Sequence, residues 1–262
     1  MTTYMIHIPL DMRAFNRWAG QRGLIRRGVF DEGYALHILL TGMFGPSVLR
    51  PFRLFASERR RNASLYAYTD ADQTALQSTA NLVATPDCLD ALDPKKIRSK
   101  EMHTEFTAGQ RLGFDLRVRP VRRLRTAIHD QKSGKTIAKG AEIDAFLVHA
   151  LRHFPDGWTD EAVNAQAAGE TREKIYTEWL AERFDGAAMI EKEACRVAAF
   201  KRSRSLRGDG FSPEGPDVIF HGVLTVTNPD EFAVRIRNGI GRHKAYGYGM
   251  LLLRPPGTTI AS

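Results

Sequence analysis

Polar and apolar positions alternate from Thr3 to Ile8 and the run meets Pro9, which predicts a first strand. The Arg-bearing stretch that follows, with Arg22, Arg26 and Arg27, reads as a polar connection. From Asp31 the period lengthens: Tyr34, Leu36, Ile38, Leu39, Leu40 and Met43 suit a helix, capped by Asp31 and stopped at Gly45-Pro46. Two β-rich runs, Phe52 to Ala56 and Ser64 to Tyr68, flank the charged turn Glu58-Arg59-Arg60-Arg61-Asn62 and predict a hairpin. Asp70 to Val83 predicts a second helix, and Glu101 to Phe106 a short strand. Strand, helix, strand, strand, helix, strand is the βαββαβ order of a ferredoxin-like unit.

The order then starts again. Leu112 to Val118 predicts a strand, Ala141 to Phe154 an amphipathic helix, Cys195 to Arg202 and Val218 to Val226 strands, Pro229 to Asn238 a helix, and Met250 to Arg254 a last strand. Between them Pro155 to Ile190 inserts a polar stretch with a helix around Ile175 to Phe184, and Gly208 to Pro216 is a Gly/Pro-rich loop. The expected fold class is therefore α+β, built from two tandem ferredoxin-like units. The boundary falls between about Asp93 and Gln110, giving an N-terminal unit over 1–100 and a C-terminal unit over 101–262.

Composition narrows the partner. Lys plus Arg number 38 against 30 Asp plus Glu, a net charge of +8, which favours a polyanion through counterion release. Cys88 and Cys195 are the two cysteines, with no C-x-x-C pair, so neither a disulfide framework nor a structural zinc site is indicated. The residues from Met1 to Leu10 lack a charged segment followed by an apolar core, and no apolar run approaches the roughly 18 residues of a membrane span. The expectation is a cytoplasmic protein that needs no cofactor.

Between the predicted helix ending at Asn238 and the last strand lies Gly239-Ile240-Gly241-Arg242-His243-Lys244-Ala245-Tyr246-Gly247-Tyr248-Gly249. Its glycines let the backbone approach another backbone closely, and Arg242 and Lys244 supply charge for phosphates. Dinucleotide and P-loop sites need a strand before the glycines and a helix after, the reverse of this order. Histidines spaced i and i+4, His149 and His153, match a zinc-binding helix, but no glutamate follows His149 and no third ligand is evident, so they read as helix-surface residues.

The glycine loop, the strand Phe220-His221-Gly222-Val223-Leu224-Thr225-Val226-Thr227-Asn228-Pro229 before it, and Leu251-Leu252-Leu253-Arg254-Pro255 after it resemble the C-terminal signature of the CasE-type CRISPR endoribonucleases. These belong to the Cas-six superfamily of repeat-RNA processing enzymes. Gly109-Gln110-Arg111-Leu112 and Tyr176-Thr177-Glu178-Trp179-Leu180 agree with it. The resemblance implies two ferredoxin-like units and a metal-independent endoribonuclease. Its substrate is a repeat hairpin of precursor CRISPR RNA, cleaved by 2′-hydroxyl attack to a 2′,3′-cyclic phosphate and a 5′-hydroxyl. It also implies retention of the product and membership of a Cascade-like surveillance complex.

In that family the first helix carries a histidine with a tyrosine three residues earlier, the place of Tyr34 and His37 here. Residues i and i+3 share a helix face, and imidazole titrates near neutrality, as proton transfer to or from a ribose oxygen requires. Some members add a lysine five residues after the histidine, where this chain has Gly42. Lys244, Arg242, Arg22, Arg26 and Arg27 are the candidate replacements for that charge. RNA grip is expected from Arg22, Arg26 and Arg27, and from Gly239, Gly241, Arg242, Lys244 and Gly247 of the loop. It is also expected from Arg111, Arg117, Arg119, Arg122, Arg123 and Arg125, six arginines whose planar forks suit phosphate. Lys132, Lys135 and Lys139 extend this run, and Arg196, Lys201, Arg202, Arg204 and Arg207 form a further cluster. No K/R-G-F/Y-G/A-F run offers a stacking platform, so recognition of a folded hairpin by shape is favoured over single-strand reading. The alternatives left open are a non-cleaving RNA-binding subunit of a CRISPR effector and a metal-dependent nuclease.

Overall fold

The computed structural model describes residues 2–26, 29–56, 62–131, 133–153, 171–204, 206–207, 210–211 and 214–257, with backbone alone at 26, 29, 206–207 and 210–211. The turn expected at Glu58 to Arg61, and Arg27, Lys132 and residues 154–170, lie outside that set.

Strand β1 (Tyr4–Asp11) alternates as its pattern demands: Ile6, Ile8 and Leu10 are buried on one face. It continues past Pro9 because β4 pairs only with Tyr4 to His7, so a proline beyond that point interrupts no ladder on that side. Asp11 then accepts hydrogen bonds from the Arg13 and Ala14 backbone N–H groups (2.9 and 3.3 Å) and starts α1 (Met12–Gln21). Its buried stripe is Phe15, Trp18 and Ala19, so the stretch read as a polar connection is largely a capped amphipathic helix. α2 (Glu32–Phe44), β2 (Phe52–Phe55), β3 (Asn62–Thr69), α3 (Gln73–Val83), α4 (Pro86–Ala91) and β4 (Arg98–Glu101) complete the unit. The antiparallel sheet runs β2-β3-β1-β4, the ferredoxin-like order. The strand expected at Glu101 to Phe106 ends at Glu101. Beyond it Phe106 is drawn into the second core, edge-on to Phe232 at 4.8 Å.

The second unit has β5 (Arg111–Val118), β6 (Val121–Arg123), β7 (Glu142–Asp144), α5 (Ala145–His153), α6 (Arg172–Phe184), β8 (Ala188–Ile190), β9 (Arg196–Ser203), β10 (Gly215–Val226), α7 (Pro229–Asn238) and β11 (Leu251–Arg254). Twelve-residue β10 pairs with both β8 and β9 on one side and with β5 on the other, and β5 pairs with β11. The helix expected from Ala141 begins only at Ala145. Glu142 to Asp144 instead pair with β6, and Asp144 accepts the Phe146 backbone N–H at 2.8 Å, fixing the helix start.

The units meet through the face of the first sheet turned away from its helices. Tyr68 is buried in the second core and donates its hydroxyl to the Leu251 carbonyl at 2.8 Å, with Met5 and Tyr66 packed beside it. Arg53 on β2 and Asp115 on β5 form a buried ion pair, and His221 Nε2 lies 3.2 Å from the same carboxylate. Two charges paired within this interface fix the register of one sheet on the other.

Candidate active site and nucleic-acid interface

α2 is held at its start by the Asp31 carboxylate, which accepts the Tyr34 backbone N–H at 2.9 Å. Ala35, Leu36, Leu39, Leu40, Met43 and Phe44 are buried, leaving Tyr34, His37 and Thr41 half-exposed on the remaining face. The spacing that suggested Tyr34 and His37 share a face is thus realised.

That face is covered by the glycine loop. A Cβ on Gly33 would stand 2.4 Å from the Tyr246 carbonyl oxygen, so only glycine lets α2 and the loop meet. The Tyr246 ring sits edge-on to His37 with centroids 5.2 Å apart, and 6.3 Å from Tyr34. The loop closes on itself where Ile240 N–H donates to Gly249 O (2.8 Å), and on β5 where Gly249 N–H donates to Arg117 O (2.7 Å). Gly239 has φ 71° and a Cβ there would strike Pro51, while one on Gly247 would press on the Phe52 ring. Gly239 and Gly247 therefore join the two units, while Gly241 packs within the second against Trp179. Glu142 of β7 holds the loop's shoulder, accepting Arg242 Nε at 2.5 Å and pairing with His243 Nε2. Burial would raise the Glu142 carboxyl, but His243 and Arg242 overcome it and hold it at about 2.

His37 opens into a small cleft lined by Thr41, Ser47, Leu49, Arg50, Phe52 and Ala245. Burial lowers its pKa first and the Arg50 charge lowers it further, so the imidazole is neutral at pH 7 and ready to accept a proton. Burial likewise lowers the Lys244 ammonium, with Arg50 and Arg235 adding to it.

The arginines divide. Arg117 forks onto Asp217 (2.8 and 2.6 Å) and lies over the Tyr248 ring at 4.7 Å. Burial alone would raise Asp217, yet Arg117 keeps it depressed. Arg119 is buried and donates to Ser203 O. Arg111 pairs with Glu191, and Arg22 with Asp87 (2.6 Å). By contrast Arg122, Arg123 and Arg125 line an open cavity of about 430 Å³ with Arg152 and Arg183, faced by the Glu182 carboxylate, which pairs with Arg122. Arg196, Lys201, Arg202 and Arg204 are exposed on and just beyond β9; Lys201 neighbours Asp217, and Glu214 serves Arg202 and Arg204. The Arg26 and Arg207 side chains are outside the described set. His149 and His153 stack on each other on α5, 4.0 Å between centroids. Arg50, Tyr246, Glu142, Arg152 and Arg183 were not singled out by sequence reasoning. Arg50 follows the Gly45-Pro46 stop, the one local signal that the chain doubles back there.

Two tandem ferredoxin-like units, joined where a glycine loop seats on a histidine-bearing first helix, define a double-unit α+β protein with a basic cleft. Matching residues 3–255 to the family described as "CRISPR associated protein" shows that the chain belongs to that family. Among solved structures, one described as CRISPR endoribonuclease Cse3 bound to 19 nt RNA is 18% identical, with TM-score 0.59, covering 97% of this chain and 100% of that one. A Thermus thermophilus Cse3 bound to an RNA representing a pre-cleavage complex is 19% identical, with TM-score 0.58 and the same coverage. A CRISPR-associated protein from Thermus thermophilus is 17% identical, with TM-score 0.55, covering 96% and 100%. No curated protein matches. The expected membership of a CRISPR-associated family and the tandem fold are borne out. No helix among the described residues is long and apolar enough to cross a membrane.

Proposed function

We propose that this chain is the endoribonuclease of CRISPR RNA maturation. It binds the repeat hairpin of the precursor and cuts it without a metal ion. It then keeps the product within a Cascade-like complex of the cytoplasm. The observation that carries the reading is His37, a neutral imidazole in a cleft where α2 meets the glycine loop. The RNA supplies its own nucleophile, so the protein needs to move protons and hold charge. His37 takes the proton of the 2′-hydroxyl as its oxygen bonds to phosphorus. The bond from phosphorus to the 5′-oxygen breaks, that oxygen takes a proton from water, and the hydroxide left behind takes the proton held by His37, restoring the neutral imidazole. A 2′,3′-cyclic phosphate and a 5′-hydroxyl remain. Tyr34 positions the ribose, and Lys244, beside Ala245 at the cleft, faces the charge that builds on the phosphate.

The hairpin stem lies on the cavity formed by Arg122, Arg123 and Arg125, whose guanidinium groups reach solvent, with the backbone of Gly239 to Gly249 at the junction. Arg117 and Arg119 serve the sheet. Structures of Cse3 bound to RNA support such a substrate for this fold. Incubating the protein with its own repeat RNA in EDTA tests the reading: one cut with a 2′,3′-cyclic phosphate end is expected. Binding without cleavage would leave an RNA-binding subunit, and activity restored only by a divalent ion would mean a metal-dependent nuclease.

A further inference from the structure

The fold leaves a cation of the cleft unassigned. Position 42, five residues after His37, is glycine, and a Cβ there would lie 4.0 Å from the Cys88 sulfur, on the side of α2 that faces α4. A side chain from that position would leave toward α4.

The chain itself returns to the cleft eight residues later. Gly45 (φ 93°) and Ser47 (φ 64°) turn it back along α2. Leu49 is buried, 5% exposed, on the near side of Arg50, and Pro51 and Phe52 are buried on the far side, against Gly239 and Gly247 of the loop. The backbone of Arg50 is thus anchored at both ends while its side chain is exposed and lines the cleft with His37, Thr41 and Ser47. Among the described residues it makes no hydrogen bond or ion pair, unlike Arg22, Arg53, Arg111, Arg117 and Arg242, each of which has a carboxylate. Its field reaches both His37 and Lys244, lowering each. Holding an unpaired guanidinium beside two basic groups is unfavourable in the empty cleft, and becomes favourable when a phosphate enters.

We propose that Arg50 is a catalytic residue that contacts a non-bridging oxygen of the scissile phosphate and stabilises the dianionic transition state. The inference rests on the endoribonuclease reading and adds to it the cation that α2 lacks. The planar fork spans two phosphate oxygens, and its charge survives at any working pH.

The test is single-turnover cleavage of repeat RNA at saturating protein, with RNA affinity measured in parallel, for the unsubstituted protein, Arg50→Ala and Arg50→Lys. Arg50→Ala is expected to slow cleavage about 10²-fold while RNA affinity falls only a few-fold, and Arg50→Lys is expected to recover part of the rate. A rate within twofold of the unsubstituted protein for Arg50→Ala would overturn the assignment alone. So would a loss of affinity as large as the loss of rate, since that is the mark of uniform binding. Should Arg50→Ala fail to fold, Arg50→Lys decides: a rate lowered well beyond any loss of affinity supports the contact, and a rate within twofold of the unsubstituted protein, or rate and affinity lowered alike, contradicts it. No cleavage by the unsubstituted protein would overturn the endoribonuclease reading and this inference with it.

Discussion

The cations on β5 and those at the His37 cleft do opposite work. Arg117 is matched atom for atom by Asp217, and Arg53 from the neighbouring unit by Asp115; their charge is consumed in holding strands and units in register. Arg50 lines the cleft and Lys244 adjoins its Ala245 wall, neither with a hydrogen bond or ion pair among the described residues, and Lys244 is lowered by burial and by its cationic neighbours. A balanced cation stabilises the fold and has little left for a ligand. An unbalanced cation costs the empty protein and favours an incoming phosphate.

That contrast predicts a graded set of outcomes. The largest belongs to His37: His37→Ala should slow cleavage by about 10²–10⁴-fold while repeat-RNA affinity stays within about twofold. A fall in affinity matching the fall in rate would remove the distinction between chemistry and grip. Next, Arg117→Ala removes both hydrogen bonds from the buried Asp217 carboxylate, whose side chain is 2% exposed, leaving the exposed Lys201 ammonium at 3.8 Å as its ion-pair partner, and should cost about 3 kcal/mol in urea denaturation. Lys244→Ala, in contrast, should reduce cleavage and leave the unfolding free energy nearly unchanged. Equal destabilisation by the two would break the comparison.

A smaller effect comes from Glu142, the acid that fixes the loop's shoulder. Its folded-state pKa of about 2 lies below the ordinary carboxylate value, so its stabilisation is present above about pH 4.5 and drains away as pH falls toward 2. Glu142→Gln should be less stable than the unsubstituted protein by about 2 kcal/mol at pH 7, and the gap should narrow by pH 3. A gap of constant size would mean the charge on Glu142 is not what holds the loop. The smallest effect is at Arg125, on the open basic cavity. Arg125→Ala should weaken RNA binding a few-fold and reduce the slope of log affinity against log salt by about one. An unchanged slope would place the stem elsewhere.

What could be read in the sequence was local. The α2 helix announced itself through the Asp31 cap and its apolar spacing, and Tyr34 and His37 followed from i, i+3 geometry. Both βαββαβ orders were visible because period and turn residues act over a few positions. α1 had the same kind of signal, Asp11 before Phe15, Trp18 and Ala19, but its intervening arginines and polar residues made it resemble a connection. β7 is too short for any period to mark. The partition of the arginines was not legible, because it depends on strand register: Arg117 lies opposite Ile219, which brings Asp217 within reach a hundred residues away. Nor was the cleft, where Ala245 of the second unit meets His37 and Arg50 of the first, residues far apart in sequence. The loop glycines were read as allowing another backbone close, and which neighbours they admit, Pro51, Phe52 and Trp179, was set by distant parts of the chain.

The most direct test of the account is the pH dependence of single-turnover cleavage at subsaturating protein, which reports groups of the unliganded state. A neutral His37 acting as base predicts a rate that rises with pH to a midpoint below 6.5, the ordinary imidazole value. It also predicts that the limb disappears from the residual activity of His37→Ala. The same limb persisting in that variant, or a rate that falls across it, would contradict the claim that proton transfer occurs at the junction of α2 and the glycine loop.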